Sequence, residues 1–193
     1  ADVENRLEKL IKYSDPKKDK KTLYVWPEGV FSGYSFKEIK SLKENFSKNF
    51  SKNHFILFGI NRLDEKINGF YNSLIVVDHE MKIIQEYKKQ KLVPFGEFLP
   101  FENTLSKFGL KKITEGHGSF LSGEKQNNLK FDKLNILPLI CYEIIFTNLV
   151  QSSNENTNLI INISEDGWFG NSIGPYQHFS KSIFRAIEHN TFL

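Results

Sequence analysis

The chain carries the segment LNILPLICYE at residues 134–143. Its apolar run Leu134–Ile140 has the length and composition of a buried β-strand. This pattern stops at Cys141, and a helical pattern follows over Glu143–Ser152. A thiol at a helix N-terminus has its thiolate stabilised by the helix dipole and the free N–H groups, and Glu143 suits the same dipole. The segment therefore predicts a strand-to-helix junction that presents Cys141 as a nucleophile, although a lone cysteine is also commonly a small buried hydrophobic residue.

Two charged side chains follow other strand-like runs. Leu23–Trp26 leads into Pro27 and then Glu28, and the proline ends the ladder and fixes the backbone before the carboxylate. Lys82–Tyr87 leads to Lys89, which precedes a turn containing proline and glycine. Taken singly, each residue is better explained as a charge on a solvated turn or sheet edge.

Taken together, these three positions form a chemically complete set. A carboxylate, an ammonium and a thiol stand at the C-terminal ends of three strands, where α/β sheets place their ligand sites. The thiol can attack a carbonyl, the carboxylate can take and return the proton, and the ammonium can stabilise the oxyanion. The five histidines show no metal-ligand spacing, so neither a metal nor a cofactor is expected. The sequence thus predicts a triad of Glu28, Lys89 and Cys141.

The remaining patterns indicate a mixed α/β fold, because strand-like and helical runs alternate. The further strand-like runs are His54–Ile60, Ser73–Asp78 and Leu159–Ser164, and the further helical patterns are Val3–Tyr13, Phe36–Phe50 and Pro175–Phe192. The last helix carries an apolar stripe that includes Phe179, Ile183 and Ile187. The irregular stretch Pro94–Gln126 is rich in glycine and aromatic residues, and long loops of this kind tend to be functional.

The length, charge and composition limit the classes of protein to which this chain can belong. A length of 193 residues suggests one domain with a sizeable core. The net charge is only +3, so lysine runs such as Lys17–Lys21 are typical of solvated surface, with a nucleic-acid or anionic-lipid patch as the alternative. The most apolar stretch, Leu134–Phe146, is interrupted by Asn135 and Glu143 and is shorter than the roughly 18 apolar residues of a spanning helix.

Several motifs resemble those of the carbon–nitrogen hydrolase (nitrilase) superfamily, and most closely its apolipoprotein N-acyltransferase branch. The motifs are WPE (26–28), FYNS (70–73), YKKQKLVPFGE (87–97), ICYE (140–143), DGWFGNS (166–172) and GPYQH (174–178). The resemblance extends from about Leu23 to Leu193, and the VPFGE and GWFG stretches separate this branch from soluble amidases.

The resemblance implies a nitrilase-type αββα sandwich with mixed sheets, incomplete at both ends, in which residues 1–193 form a partial carbon–nitrogen hydrolase domain. It also implies a two-step acyl transfer. Cys141 would attack a phospholipid, the acyl donor, and form a thioester; the N-terminal amine of a lipid-modified apolipoprotein would then accept the acyl chain. Glu28 would act as general base and acid, and Lys89 would support the oxyanion. Such an enzyme works at the periplasmic face of the bacterial inner membrane, without a nucleic-acid partner.

The resemblance further implies which residues assist. Glu143 and Tyr142 would support the nucleophile, and Asn72 would support the site from the strand before the lysine motif. Glu97 would orient either Lys89 or the base.

Four apolar residues are candidates for contacts with acyl chains: Phe95, Phe98, Trp168 and Phe169. They follow the lysine motif or lie in the glycine-rich motif of residues 166–172. The alternative is that they pack down as core.

The chain departs from the family pattern in several respects. The membrane helices that flank the domain in relatives are absent, as are the first and last strands of the nitrilase fold. We therefore expect a fragment that aggregates and transfers little acyl chain when expressed alone. Glu165 stands where relatives usually have asparagine, and Lys91 stands where they often have histidine, which adds a second ammonium near the site.

Three other interpretations remain open. A soluble nitrilase-type amidase would share the fold and the triad but would have a small polar pocket for a small amide. A non-catalytic basic binding module would show no special reactivity at Cys141. A nonfunctional gene remnant would also fit the missing termini.

Overall fold

Two β-sheets packed face to face form the centre of the computed structural model, which describes residues 3–101, 119–151 and 156–193. The strands are β1 (Thr22–Val25), β2 (His54–Asp64), β3 (Gly69–Val77), β4 (Ile83–Lys88), β5 (Leu129–Phe131), β6 (Leu134–Ile140) and β7 (Leu159–Ile163). The first sheet has the order β1-β2-β3-β4, and the second has the order β5-β6-β7. Each sheet contains one parallel pair, β1 with β2 and β6 with β7, while the other neighbours are antiparallel. The predicted mixed sheets are confirmed.

Helices cover the outer face of each sheet. Among the described residues they are α1 (Val3–Ser14), α2 (Phe36–Lys40), α3 (Lys43–Asn49), α4 (Thr147–Gln151) and α5 (Gly174–Glu188), with two short 3-10 helices at Cys141–Ile145 and Asp166–Phe169. One apolar cluster packs α1, α2 and α3 against β2 and β3, and another packs the first 3-10 helix and α4 against β6 and β7. A third cluster fills the space between the sheets. The layer order is therefore αββα, as predicted.

The strand runs were located well by the sequence, and the helical patterns less well. β6 has the predicted bounds, whereas β5 was not predicted; it is only three residues long. The pattern over Phe36–Phe50 forms two helices, α2 and α3, because the chain turns at Ser41 and Leu42. The predicted helix over Glu143–Ser152 is wrong. It is replaced by the 3-10 helix that begins at Cys141 and by the short α4.

The last helix, α5, ends at Glu188 rather than at Phe192, which instead pairs with β7 through Leu159. Its buried side chains are polar: His178, Ser182 and Arg185. The apolar stripe faces away from the domain, with Phe179 62% and Ile187 70% exposed. Among the described residues, none of the helices has the length and apolar character needed to cross a membrane.

Candidate active site

Cys141 lies in a sharp turn directly after β6. Its φ of 51° is in the left-handed region, which costs a residue with a Cβ about 1 to 2 kcal/mol. On the strand side, the N–H of Ile140 donates to Oε2 of Glu143 over 2.9 Å. On the other side, Nε2 of His178 lies 2.9 Å from the carbonyl oxygen of Cys141. The turn is thus held at both ends, and the thiol projects from a fixed backbone.

Glu143 is a fully buried carboxylate that ties the end of β4 to this turn. Its Oε1 accepts the N–H groups of Gln90 and Lys91 at 2.6 and 3.0 Å, and the hydroxyl of Tyr87 donates to Oε2 over 2.9 Å. Burial raises the pKa of Glu143, and these donors oppose the rise together with the N–H of Ile140. The contacts of Glu143 therefore fix the backbone on either side of Cys141 and at the end of β4.

Lys89 follows β4 and is almost completely buried, with 1% of its surface exposed. Its N–H donates to the carbonyl of Asn72 over 2.8 Å, which extends the pairing of β3 with β4 by one residue. Nζ lies 2.9 Å from Oε1 of Glu97 and 3.9 Å from Oε1 of Glu28. Burial by itself would lower the pKa of Lys89, but the charges of Glu28, Glu97 and Cys141 outweigh it and raise the pKa. The side chain is therefore an ammonium.

Glu28 stands just beyond the end of β1, as the sequence predicted. Its backbone runs so close to β2 that a Cβ at Gly59 would lie 2.7 Å from Cα of Glu28, and only glycine fits there. Oε1 accepts from Nδ2 of Asn72 over 2.8 Å, and Oε2 accepts from the N–H of Glu165 over 3.1 Å. Both carboxylate oxygens are thereby oriented, and each retains a lone pair for a proton.

Two carboxylates share the single ammonium of this centre. Asn72 bridges them, because its Nδ2 also lies 2.9 Å from Oε1 of Glu97. Burial raises the pKa of Glu28, Lys89 and Asn72 oppose the rise, and the charge of Glu97 adds to it. A carboxyl group with a raised pKa is matched to taking up and returning a proton near neutral pH.

The thiol of Cys141 does not match the expectation drawn from a helix dipole. Burial raises the pKa of Cys141, and the charge of Glu28 raises it further. Lys89, the side chain of Ser164 and the N–H of Tyr142 lower the pKa without reversing the rise. The helix that would have stabilised a thiolate is a single 3-10 turn. A thiol with a raised pKa is protonated at neutral pH and would need a base in order to act as a nucleophile.

Three of the four residues predicted to contact acyl chains are well exposed: Phe95, Trp168 and Phe169 at 48%, 69% and 42%. Phe98 is half-buried, and its carbonyl accepts the N–H of Phe95 over 2.7 Å. Core packing, the alternative for all four, therefore applies at most to Phe98. Tyr142, predicted to support the nucleophile, is half-buried with its ring edge-on to that of Phe146 at 5.4 Å.

The structure adds residues that the sequence did not single out. Ser164 and His178 join Asp166 in a polar cluster beside Cys141. Asp166 and His178 both lie within the quoted motifs, but their spacing in the chain gives no sign that they meet. Glu165, the departure from the family pattern, contributes its N–H to Glu28, and its carboxylate lies over Gly29. A backbone contact of this kind is independent of the side chain.

A model of the carbon-nitrogen hydrolase family matches residues 1–193. Apolipoprotein N-acyltransferases from Rhodopseudomonas palustris and Bradyrhizobium diazoefficiens are 38% and 37% identical to this chain over 173 residues, which is 86% of the chain. The chain spans about a third of the length of these curated relatives, 32% in each case.

Solved structures with the same fold come from more distant proteins. The glutamine-dependent NAD+ synthetase of Acinetobacter baumannii matches with a TM-score of 0.69 at 18% identity, over 99% of this chain and 35% of that one. Nit3 of Saccharomyces cerevisiae, a member of the nitrilase superfamily, matches with a TM-score of 0.61 at 20% identity, over 96% and 64% of the two chains. With the matched family model and the sandwich fold, these similarities show that the chain belongs to the carbon-nitrogen hydrolase family.

Proposed function

We propose that this chain catalyses the transfer of a fatty acyl group from a phospholipid to the N-terminal amine of a lipid-modified apolipoprotein. The observation that carries the proposal is the buried centre in which Nζ of Lys89 lies 3.9 Å from Oε1 of Glu28 and 2.9 Å from Oε1 of Glu97. The charges of Glu28 and Lys89 both act on the thiol of Cys141 beside them. The substrate class is supported by relatives that are named apolipoprotein N-acyltransferases and match 86% of the chain. The amidases among the solved structures share the fold at much lower identity.

The first step forms a thioester. The sulfur of Cys141 attacks the ester carbonyl of the phospholipid while Glu28 takes the thiol proton, which the raised pKa of the thiol makes necessary. The oxyanion that forms is stabilised by the ammonium of Lys89, which Glu97 holds in place over 2.9 Å. When the intermediate collapses, Glu28 returns the proton to the departing alcohol oxygen, and a lysophospholipid leaves.

The second step forms the amide. The amine of the acceptor attacks the thioester carbonyl, and Glu28 takes a proton from the attacking nitrogen. The carbon–sulfur bond then breaks, and the proton on Glu28 restores the thiol of Cys141. Glu28 is suited to both directions of transfer because Asn72 and the N–H of Glu165 orient its two oxygens.

The exposed aromatic residues suit a lipid substrate. Phe95, Trp168 and Phe169 are candidates for contacts with the acyl chains, since apolar surface of this kind gains free energy when it is covered by hydrocarbon. A phospholipid donor requires a membrane, and we place the domain at the periplasmic face of the bacterial inner membrane. Because the chain spans about a third of its relatives, attachment through segments outside these 193 residues belongs to the same proposal.

The experiment that tests the function measures acyl transfer by the full-length protein in detergent micelles that contain phospholipid and a diacylglyceryl lipopeptide. We expect the triacylated peptide as product and a Cys141 thioester, detectable by mass spectrometry, when the acceptor is omitted. Cys141→Ala should abolish both, because the proposed thioester forms on this sulfur and these 193 residues contain no other cysteine. A Cys141→Ala protein that keeps more than a few per cent of the activity would contradict the thioester mechanism.

Two other outcomes would identify other functions. Release of ammonia from small amides, without acylation of the peptide, would identify an amidase. A Cys141 that neither forms a thioester nor reacts with iodoacetamide would identify a binding module or an inactive protein.

A further inference from the structure

A second polar cluster lies beside the triad and has no part in the mechanism above. It consists of Ser164, Asp166 and His178, the last of which comes from the buried face of α5. Nδ1 of His178 lies 2.9 Å from Oδ1 of Asp166, and Nε2 lies 2.9 Å from the carbonyl oxygen of Cys141. The hydroxyl of Ser164 donates to Asp166, and the same side chain lowers the pKa of the Cys141 thiol. The cluster therefore contacts the backbone of Cys141 and also acts on its thiol.

The donors and acceptors determine where the protons lie. A carbonyl oxygen can only accept, so Nε2 of His178 carries a proton and donates it to Cys141. Nδ1 lies 2.9 Å from Oδ1 of Asp166 and 3.4 Å from the hydroxyl of Ser164, so these two side chains fix the orientation of the ring. Cys141, Asp166 and His178 offer ligand atoms within 4.8 Å of one another, but both ring nitrogens are already engaged. A metal ion would have to break these bonds, so the contacts favour a role in positioning.

We propose that His178 is a positioning residue: its Nε2–H holds the carbonyl of Cys141 and thereby keeps the nucleophile in its left-handed turn, while Asp166 orients the ring. A residue with a Cβ occupies that region only when its surroundings hold it there. Glu143 holds the turn through the N–H of Ile140, and His178 is the described side chain that holds it from the carbonyl side.

The packing of α5 supports this role. One turn of helix after Ser182, Nε of Arg185 donates to the carbonyl of Ile144 over 3.2 Å, at the far end of the same 3-10 helix. His178 and Arg185 thus bind the first and the fourth residue of that turn from a single rigid element. This explains why the buried face of α5 is polar, since the backbone carbonyls it covers need donors.

The test compares two substitutions that each keep a hydrogen-bonding group near one of the two ring nitrogens of His178. The amide nitrogen of His178→Gln falls near Nε2 and can still donate to the carbonyl of Cys141. The amide nitrogen of His178→Asn falls near Nδ1 and can contact Asp166 alone. His79→Gln is the control, because His79 lies in the turn between β3 and β4, at the other end of the strands that carry Asn72 and Lys89.

All variants are made in the full-length protein and compared by kcat, KM, melting temperature and the pH dependence of Cys141 alkylation by iodoacetamide. We expect His178→Gln to stay within about fivefold of wild type in kcat and His178→Asn to lose about 100-fold with an unchanged KM, as small misplacements of reacting groups do. The alkylation midpoint of His178→Asn should differ from that of wild type, since the sulfur is no longer held in its position relative to Glu28, Lys89 and Ser164, whereas that of His178→Gln should not.

The turnover part of this inference rests on the proposed function, but the alkylation part does not. Wild-type protein that alkylates normally and transfers no acyl group would contradict the function only, and the midpoints of the variants would still decide the role of His178. Equal loss in both variants with a lowered melting temperature would overturn the proposal, because it indicates a packing role. If His178→Asn does not fold, His178→Gln decides alone, and a loss of more than about tenfold there would overturn it.

Discussion

At the scale of single residues, the site places one ammonium between two carboxylates and beside a thiol. Lys89 is 1% exposed, and its Nζ contacts both Glu97 and Glu28. Lys91, two residues later, donates its backbone N–H to Glu143, and its Nζ forms no ion pair within the part of the chain that the structure describes. Lys91 is therefore a matched control for Lys89. Replacing Lys91 removes a nearby positive charge, whereas replacing Lys89 removes the ammonium that contacts the two carboxylates.

We expect Glu28→Gln and Lys89→Met each to reduce the rate of acyl transfer far more than Lys91→Met. Loss of general acid–base catalysis costs about 10² to 10⁴-fold, and loss of an oxyanion donor costs about 10² to 10³-fold. Lys91→Met keeps the backbone bond to Glu143 and should stay near wild type. Steady-state kinetics of the three proteins measure this, and a Lys91→Met defect as large as that of Lys89→Met would show that the wrong lysine was assigned.

The pKa of Cys141 gives a second prediction, in which two substitutions move one observable in opposite directions. The charge of Glu28 raises this pKa and that of Lys89 lowers it, so Glu28→Gln should shift the midpoint of alkylation to lower pH and Lys89→Met to higher pH. The wild-type midpoint should lie above the ordinary thiol value of about 8.5. Alkylation rates with iodoacetamide across pH measure all three. Shifts of the same sign in both variants would contradict the assigned electrostatics, and Lys91→Met serves as the unshifted control.

At the scale of elements, every strand except the three-residue β5 was predicted from the sequence, whereas the 3-10 helix at Cys141 was not. β6 is a run of apolar residues interrupted only by Asn135, which is a strong local signal. The turn after it depends on partners far away in the chain, namely Tyr87, Gln90 and His178. No local pattern near Cys141 contains that information, so the sequence suggested an ordinary α-helix there.

In the last helix, too, the sequence pattern did not predict which residues are buried. Apolar periodicity normally marks the buried face of a helix, yet in α5 the polar face is buried because it supplies donors to the turn at Cys141. Individual triad members could be predicted because each ends a strand. His178 could not, because its signal was a polar residue in a helix, which usually indicates solvent exposure.

The bond between Tyr87 and Glu143 links the two sheets at this turn, and it can be tested through stability. Tyr87→Phe leaves the buried carboxylate without a donor that lies 2.9 Å away, and hydrogen bonds to charged groups contribute about 1.5 to 3 kcal/mol to the free energy of unfolding. We expect a lower melting temperature and a slower alkylation of Cys141. Tyr24→Phe is the control, since the hydroxyl of Tyr24 has no hydrogen-bond partner among the described residues. Equal melting temperatures for both variants would contradict the role given to Glu143.

At the scale of the whole molecule, the two-sheet core was predictable and the outer surface was not. The alternation of strand-like and helical patterns predicted a mixed α/β fold, and the αββα order was implied by the resemblance to the carbon–nitrogen hydrolase family. The interior between the sheets is apolar, as expected. The exposure of the aromatic and aliphatic side chains on the outside of α5 could not be predicted from their apolar periodicity. Tyr176, Phe179, Phe184 and Ile187 are 74%, 62%, 57% and 70% exposed, so a continuous apolar face lies open.

An exposed apolar face of this kind promotes association, because covering it removes apolar area from water. We therefore expect the 193-residue chain, expressed by itself, to form oligomers or aggregates whose size increases with concentration, as light scattering coupled to gel filtration would detect.

The double substitution Phe184→Lys and Ile187→Lys places charge on that face and should shift the chain toward monomer. It should not change the alkylation of Cys141, since neither side chain is on the buried face of α5. Lys181→Gln, on an exposed position of the same helix, is the matched control and should leave the association unchanged. A wild-type chain that stays monomeric at high concentration would contradict the prediction and would mean that the face is stable in water, whereas association that persists in the lysine variant would place the contact elsewhere on the surface.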